Sequence, residues 1–228
     1  MRLLAIETST DLGSAALWVD GALLERFCPA GRPHSETLLP LIQELLAEAG
    51  GESFCLDGVA FGAGPGAFTG LRVACGLAQG LATGIGCPVV PVGSLAAVAH
   101  ASGADRCFAA MDARMGEAYV GLFERSGARM EQRGTLRVQP PAAIEFPPPP
   151  CRVAGNALAV YPALAERAGA AGLSLDPQRM PTAAAIAALA VVELQAGRGL
   201  DPALAAPLYV RDKVAQTIAE RLATGGKA

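Results

Sequence analysis

The sequence predicts an α/β fold that contains a duplicated β-hairpin. Three observations predict it. Short apolar runs separated by turn signals open the chain. A Gly-rich segment then joins an apolar run to a long helix. The opening pattern restarts near Gly103. At 228 residues the chain makes one large domain or two small ones. Hydrophobic residues make up 52% of it and charged residues 17%, so there is ample apolar surface for a core and global disorder is excluded.

Leu3 to Ile6 is an apolar run suited to a buried strand, followed by a polar turn containing Gly13. Ala15 to Val19 reads as a second strand and Leu23 to Phe27 as a third, joined by Asp20-Gly21, a strong hairpin signal. Ser35 to Ala49 reads as a helix whose apolar residues cover an arc of about 160°. That arc is wider than one contact needs. Val59 to Gly62 is a short strand before the glycines. The helix from about Thr69 to Thr83 is apolar nearly all round, with Leu71, Ala74, Cys75, Ala78 and Leu81 on one side and Val73, Leu77, Gly80 and Gly84 on another. One side can face its own sheet; the other needs a second layer. Val89 to Val92 reads as a strand and Leu95 to Ala101 as a short helix.

After Gly103, Cys107 to Met111 and Glu117 to Phe123 repeat the opening hairpin, which sets Asp112 in the place held earlier by Glu7. The Pro147 to Pro150 run reads as a polyproline II loop. Ala157 to Ala168 and Thr182 to Gln195 read as helices, the latter capped by Thr182 and ended by Gly197. Pro207 to Arg211 is a late extended segment before a final helix. The resulting division is an N-terminal lobe, 1–103, and a smaller C-terminal lobe, 104–228, whose last helix can pack back on the first.

Composition excludes several function classes. The net charge of -3 argues against a module that binds nucleic acid alone by neutralising phosphates. No apolar run reaches the ~18 residues of a membrane span, and the N-terminus lacks the apolar region and cleavage site of a signal peptide. The six cysteines form no C-x-x-C pair and read as reduced, cytoplasmic thiols. Zinc catalysis needs histidines at helical spacing, and His34 and His100 stand far apart. No cysteine sits with a histidine, and no serine lies in a G-x-S-x-G elbow. No metal ligand set and no cofactor is expected.

The sharpest local feature is Gly62 to Gly70. A strand, glycines and a helix start can cradle phosphate on backbone N–H groups. The same pattern also serves a tight turn on which a small-residue helix packs closely. No Gly-Lys-Ser/Thr follows, so it is not a P-loop, and no acid stands where a Rossmann ribose ligand would. Glu7 and Asp112, at the ends of paired strands, either position a metal–phosphate group between lobes or bond nearby backbone. Arg125, Arg129, Arg133 and Arg137 recur every four residues, as a solvated hairpin face or a phosphate-contacting strip.

Beyond these readings the chain resembles the TsaB (YeaZ) family over nearly its whole length. The resemblance is carried by Leu4-Ala5-Ile6-Glu7-Thr8-Ser9-Thr10, by His34-Ser35-Glu36-Thr37-Leu38-Leu39-Pro40, and above all by Gly64-Pro65-Gly66-Ala67-Phe68-Thr69-Gly70-Leu71-Arg72. Asp112-Ala113-Arg114-Met115-Gly116-Glu117-Ala118-Tyr119 and Pro207-Leu208-Tyr209-Val210-Arg211 complete it. It implies an actin-like, Hsp70-type ATPase fold of two related lobes with mixed sheets and flanking helices. It also implies a non-catalytic role in making N6-threonylcarbamoyladenosine at position 37 of tRNAs that read ANN codons. The implied partners are a TsaD-like catalytic subunit, a TsaE-like ATPase, and tRNA met through the complex.

Departures from a working ATPase are visible in the same residues. The turn from Glu7 to Gly13 lacks the Asp-x-Gly-Thr phosphate pattern, the second lobe lacks an Asp-Gly-Gly-type loop, and the paired histidines of the catalytic paralogue are absent. Glu7, Thr8, Gly64, Gly66 and Asp112 are therefore expected to mark a vestigial nucleotide region with no catalytic residue. The resemblance also implies that the two helices of the first lobe pack on their counterparts in a partner, whether the catalytic subunit or a second copy. Leu38, Leu41, Ile42, Leu45, Val73, Leu77 and Gly80 are the expected contact. The rival reading is a stand-alone ATPase or sugar-kinase-like enzyme, or a peptidase.

Overall fold

The computed structural model describes residues 1–50 and 55–210; the expected final helix and Arg211 lie outside them. The first repeat runs β1 (Arg2–Glu7), β2 (Ser14–Val19), β3 (Ala22–Phe27), α1 (His34–Glu48), β4 (Gly58–Gly64), α2 (Phe68–Ile85), β5 (Val89–Gly93) and α3 (Ser94–Ala101). The second runs β6 (Arg106–Asp112), β7 (Ala118–Ser126), β8 (Arg129–Gln139), β9 (Arg152–Ala154), α4 (Ala157–Val160), α5 (Pro162–Ala170), β10 (Ser174–Asp176) and α6 (Ala183–Gln195).

The two five-stranded sheets share one topology. Their orders are β3-β2-β1-β4-β5 and β8-β7-β6-β9-β10, each with an antiparallel meander followed by parallel strands. The duplication expected from the sequence thus covers the whole sheet as well as its first hairpin, and the described chain is a two-lobed α/β fold. Asp20 and Gly21 both have positive φ, as the two-residue hairpin turn demands. The second sheet was the harder one to read. Strands β9 and β10 have only three residues each and carry no alternation. The single helix expected over Ala157 to Ala168 is broken in two. Pro162 disfavours helical geometry at Tyr161, which adopts φ -122° and ψ 83°.

Three apolar clusters arrange these elements in five layers. α1 and α2 cover the outer face of the first sheet, with Leu4, Ile6, Leu17, Val59 and Phe61 beneath them. α4 and α5 cover the outer face of the second. Between the sheets lie α3 and α6. Each closing helix crosses over: α3 lies against β6, β7 and β8, and α6 against β1, β2, β4 and β5. A division of the chain at 103/104 separates the sheets, but 183–208 returns to the first one. α6 starts as expected at Thr182, whose side chain accepts a bond from the Ala185 N–H, and Ser14 Oγ accepts the Ala183 N–H at 2.8 Å. No helix among the described residues is long and apolar enough to cross a membrane.

Glycines test this packing directly. Gly155, at the end of β9, has φ 129°, and a Cβ there would lie 2.0 Å from the Ala110 carbonyl oxygen. Gly84, on the open side of α2, would meet nothing within 4 Å. Gly155→Ala is expected to destabilise the protein by more than about 2 kcal/mol, whereas Gly84→Ala should stabilise it by about 0.5–1 kcal/mol. Urea denaturation midpoints of the two variants check both.

Candidate functional site: the interlobe cleft and the outer helix face

The Gly-rich segment, read from the sequence as either a phosphate cradle or a tight turn, is packed against the chain's own backbone. The turn after β1 presses its backbone on the glycines. A Cβ at Gly70 would lie 1.8 Å from the Thr8 carbonyl oxygen, and one at Gly66 would lie 2.5 Å from the Ser9 carbonyl oxygen. Thr8 Oγ1 donates to the Gly70 carbonyl at 2.7 Å, and the Ala67 N–H donates to the Ser9 carbonyl at 2.7 Å. These glycines serve a close approach of chain to chain, one of the two readings the sequence left open. α2 begins on them without a side-chain cap.

Glu7 is fully buried beneath this turn. Its Oε1 accepts the Ser9 N–H at 2.5 Å, and its Oε2 accepts the Ser94 hydroxyl at 3.2 Å. A Cβ at Gly62 would come within 2.1 Å of Oε2, so only glycine leaves room for the carboxyl. Burial raises the Glu7 pKa above the ordinary carboxylate value, and the bonds from Ser9 and Ser94 oppose that rise.

Asp112 ends β6 as Glu7 ends β1, but its environment differs. Its Oδ1 accepts the Arg114 N–H at 3.0 Å and the Tyr161 hydroxyl at 2.8 Å, while the Asp112 N–H donates to Asn156 Oδ1 at 2.9 Å. Desolvation, together with the Asp112 carboxylate, pushes Tyr161 up to about 12, so Tyr161 remains a donor. Asn156 and Tyr161 were missed in the sequence. The available signal was Gly155-Asn156 directly after the apolar pair Val153-Ala154.

The cleft between the lobes is small, about 70 Å³, and Ser9, Asp11, Gly66, Asp112, Arg114 and Asn156 are among its lining residues. Arg114 Nη2 reaches across it to Asp11 Oδ2 at 2.8 Å. Ligand pockets commonly occupy ~300–1,000 Å³. The cleft is far below that range. Of the five residues expected around a vestigial site, Gly66 and Asp112 line the cleft. Glu7 and Thr8 are enclosed beside it, and Gly64 faces the Leu208 carbonyl. A wider hollow of about 370 Å³ opens between the starts of α1 and α2 and reaches the outer face of α2 at Val73.

That outer face is only partly as expected. On α2, Ala74, Cys75, Ala78 and Ala82 are buried on the sheet, while Val73 and Leu77 are half-buried and Gly80 is exposed. On α1, Leu41 is half-buried, but Leu38, Ile42 and Leu45 are fully buried in the chain's own core. Their place in a contact surface is corrected: the i, i+4, i+7 stripe faces the sheet, and the broad apolar arc did not reveal which edge points outward. Leu39, 41% exposed, is the outward residue the sequence reading missed.

Other candidates resolve into structural roles. A His34 ring nitrogen, Nε2, bonds the Thr10 carbonyl at 3.0 Å and ties α1 to the first turn. Burial raises Cys75, Cys87 and Cys151 and pushes Cys107 up to about 11, which disfavours thiolates. Among the described residues no cluster of three or more metal-ligating side chains exists. Arg125, Arg129 and Arg133 pair with Asp105, Glu193, and Glu124 with Glu131, as a solvated hairpin face would.

Two motifs far apart in sequence meet at the start of α2. Arg72 lies over the Phe68 ring at 3.9 Å and donates from Nε to the Tyr209 hydroxyl at 3.2 Å, and the Phe68 and Tyr209 rings stand 5.6 Å apart. The Leu208 N–H donates to the Ala63 carbonyl at 2.7 Å.

The raised pKa of Glu7 fixes a pH dependence. The neutral carboxyl suits the folded state, so its contribution is full below the unfolded value near 4.5 and is lost as pH rises through the folded value. Glu7→Gln should therefore gain stability relative to the unmodified chain as pH rises above ~4.5. Urea midpoints of both proteins at several pH values measure this; a pH-independent difference would contradict it.

Comparison with known proteins follows the same geometry. The family model of TsaD, tRNA N6-adenosine threonylcarbamoyltransferase, matches residues 29–218. The tRNA threonylcarbamoyladenosine biosynthesis protein TsaB of Escherichia coli is 42% identical over 129 residues, 55% of this chain and 56% of that one. Its Haemophilus influenzae counterpart is 42% identical over 135 residues, 58% of this chain and 57% of that one. The match thus spans little more than half the length of these curated relatives. YeaZ from Pseudomonas aeruginosa superposes with a TM-score of 0.80 at 36% identity, over 91% of this chain and 99% of that one. Matched by the family model over residues 29–218 and in fold over nearly its full length at 36% identity, the chain belongs to the TsaB (YeaZ) family.

Proposed function

We propose that this chain is a non-catalytic subunit that supports threonylcarbamoylation of adenosine 37 N6 in tRNAs reading ANN codons. It acts by binding a TsaD-like catalytic subunit through the outer face of α1 and α2, and a TsaE-like ATPase joins the pair. The observation that carries this reading is the close packing of the Gly-rich segment: the backbone of Thr8 and Ser9 fills the space at Gly66 and Gly70. The cleft beside it is about 70 Å³, below the usual range of ligand pockets, and is bridged by Arg114 and Asp11. Chemistry is thereby left to the partner. α2 meanwhile keeps an outward side of Val73, Leu77 and glycines, on which another helix can approach closely.

Nothing in the site favours the rival reading of an ATPase, sugar kinase or peptidase. Glu7 is enclosed, Asp112 is spent on Arg114 and Tyr161, and the thiols of Cys75, Cys87, Cys107 and Cys151 are held protonated by burial. tRNA is met through the complex, consistent with ion-paired arginines on the β7–β8 hairpin.

Co-purification with the same organism's TsaD-like protein tests the proposal. The unmodified chain should form a stable pair. Leu77→Glu and Leu39→Glu should weaken it roughly tenfold or more each while circular dichroism stays unchanged. The isolated chain should show no ATP turnover that depends on Glu7 or Asp112. Turnover abolished by Glu7→Gln in a folded variant would favour the enzyme reading instead.

A further inference from the structure

The two repeats differ on the outer face of their antiparallel strands. In the first, α1 lies over β2 and β3. In the second, only a 3₁₀ turn, Pro141–Ala143, stands between β8 and β9. The space over β7 and β8 is left as a hollow of about 400 Å³, a size usual for small-molecule pockets. Phe108, Val120 and Leu122 of the sheet form its floor, β8 supplies one wall, and the loop from Glu145 to Pro147 supplies the other. The β8 arginines and the start of the proline run, two features that the partner-binding role does not use, thus border one hollow.

Both walls are held in place. A bulge sets Gly134, Thr135 and Leu136 of β8 against Gly121 alone, so that Arg133 pairs with Leu122 and Arg137 with Val120. Both arginines therefore stand on the sheet face that carries the apolar floor. In the opposite wall, Arg167 donates to the Pro141 and Ile144 carbonyls, each at 2.7 Å, and Arg106 donates to the Pro148 carbonyl at 2.9 Å. The Phe146 ring stands edge-on to Phe108, with centroids 5.9 Å apart, and the Arg167 guanidinium lies over it at 5.6 Å. The hollow is thus preorganised, which lowers the cost of filling it.

The charges on the two rims set the ligand class. Arg133 is already neutralised, by Glu124 at 2.8 Å and Glu131 at 3.1 Å. Among the described residues neither Arg137 nor Glu145 has an ion-pair partner, and the two do not pair with each other across the hollow. One free cation and one free anion therefore flank an apolar floor. We propose that this hollow binds a zwitterionic α-amino acid with a large apolar side chain. Its carboxylate takes the planar Arg137 guanidinium, its ammonium group takes the Glu145 carboxylate, and its side chain covers Leu122 and Phe146. A phosphate monoester complements the hollow poorly. It carries about two negative charges where one cation is free, and Glu145 repels it.

Titration calorimetry of the full chain with L-leucine, L-phenylalanine and L-tryptophan tests this, with AMP and inorganic phosphate titrated alongside. At least one of the amino acids should bind with a dissociation constant below about 1 mM. N-acetylating it, or converting its carboxylate to an amide, should weaken binding roughly tenfold or more, and so should Arg137→Ala and Glu145→Gln. Arg129→Ala, outside the hollow, should leave binding unchanged, and all three variants should keep the circular dichroism spectrum. If no amino acid binds at about 10 mM, the inference falls. If AMP or phosphate binds instead, and only Arg137→Ala abolishes it, the hollow is a simple anion site and the inference is overturned. Amino-acid binding that survives either substitution at the rims overturns it as well.

Discussion

The backbone of Thr8 and Ser9 lies against Gly66 and Gly70, and most of what distinguishes this chain follows from that contact. A Cβ at either glycine would fall inside the distance that real side chains keep. The contact fixes where α2 begins, since the Ala67 N–H donates to the Ser9 carbonyl and the Ala67 carbonyl in turn accepts the Leu71 N–H. It also seals Glu7 under the turn with Ser9, Gly62 and Ser94. A loop that could have aimed N–H groups at a ligand instead aims them at the chain. The Ala67 N–H is satisfied in this way by the Ser9 carbonyl.

Much of the fold was legible in the sequence because its signals are local. Asp20-Gly21 marks a turn by φ alone, Thr182 marks a helix start by its side-chain oxygen, and the alternation of apolar runs with Gly turns shows the repeated hairpin. What stayed hidden depends on distant partners. β9 and β10 are too short to show a period; β9 exists as a strand because β6 lies beside it, and β10 because β9 does. The crossing of α3 and α6 to opposite sheets leaves no trace in either helix, since α6 is apolar on every side.

The site was legible in kind and less so in detail. The segments quoted for the resemblance include most residues at the cleft, Asp11 and Asn156 apart, yet they do not say whether a glycine faces ligand or backbone. On α1 the apolar arc is so wide that periodicity could not choose between its edges. The core took Leu38, Ile42 and Leu45, and Leu39 was left outside. The meeting of Phe68 and Arg72 with Tyr209 spans 137 residues between the hydrogen-bonded pair, beyond the reach of any window on the sequence.

The exchange of closing helices has its own consequence for how the molecule can be divided. Because α6 completes the core of the first sheet and α3 that of the second, neither half carries its full set of packing partners when cut at the junction between them. Truncations made there would expose apolar faces on both products. The two sheets therefore lose their order together, in a single unfolding transition.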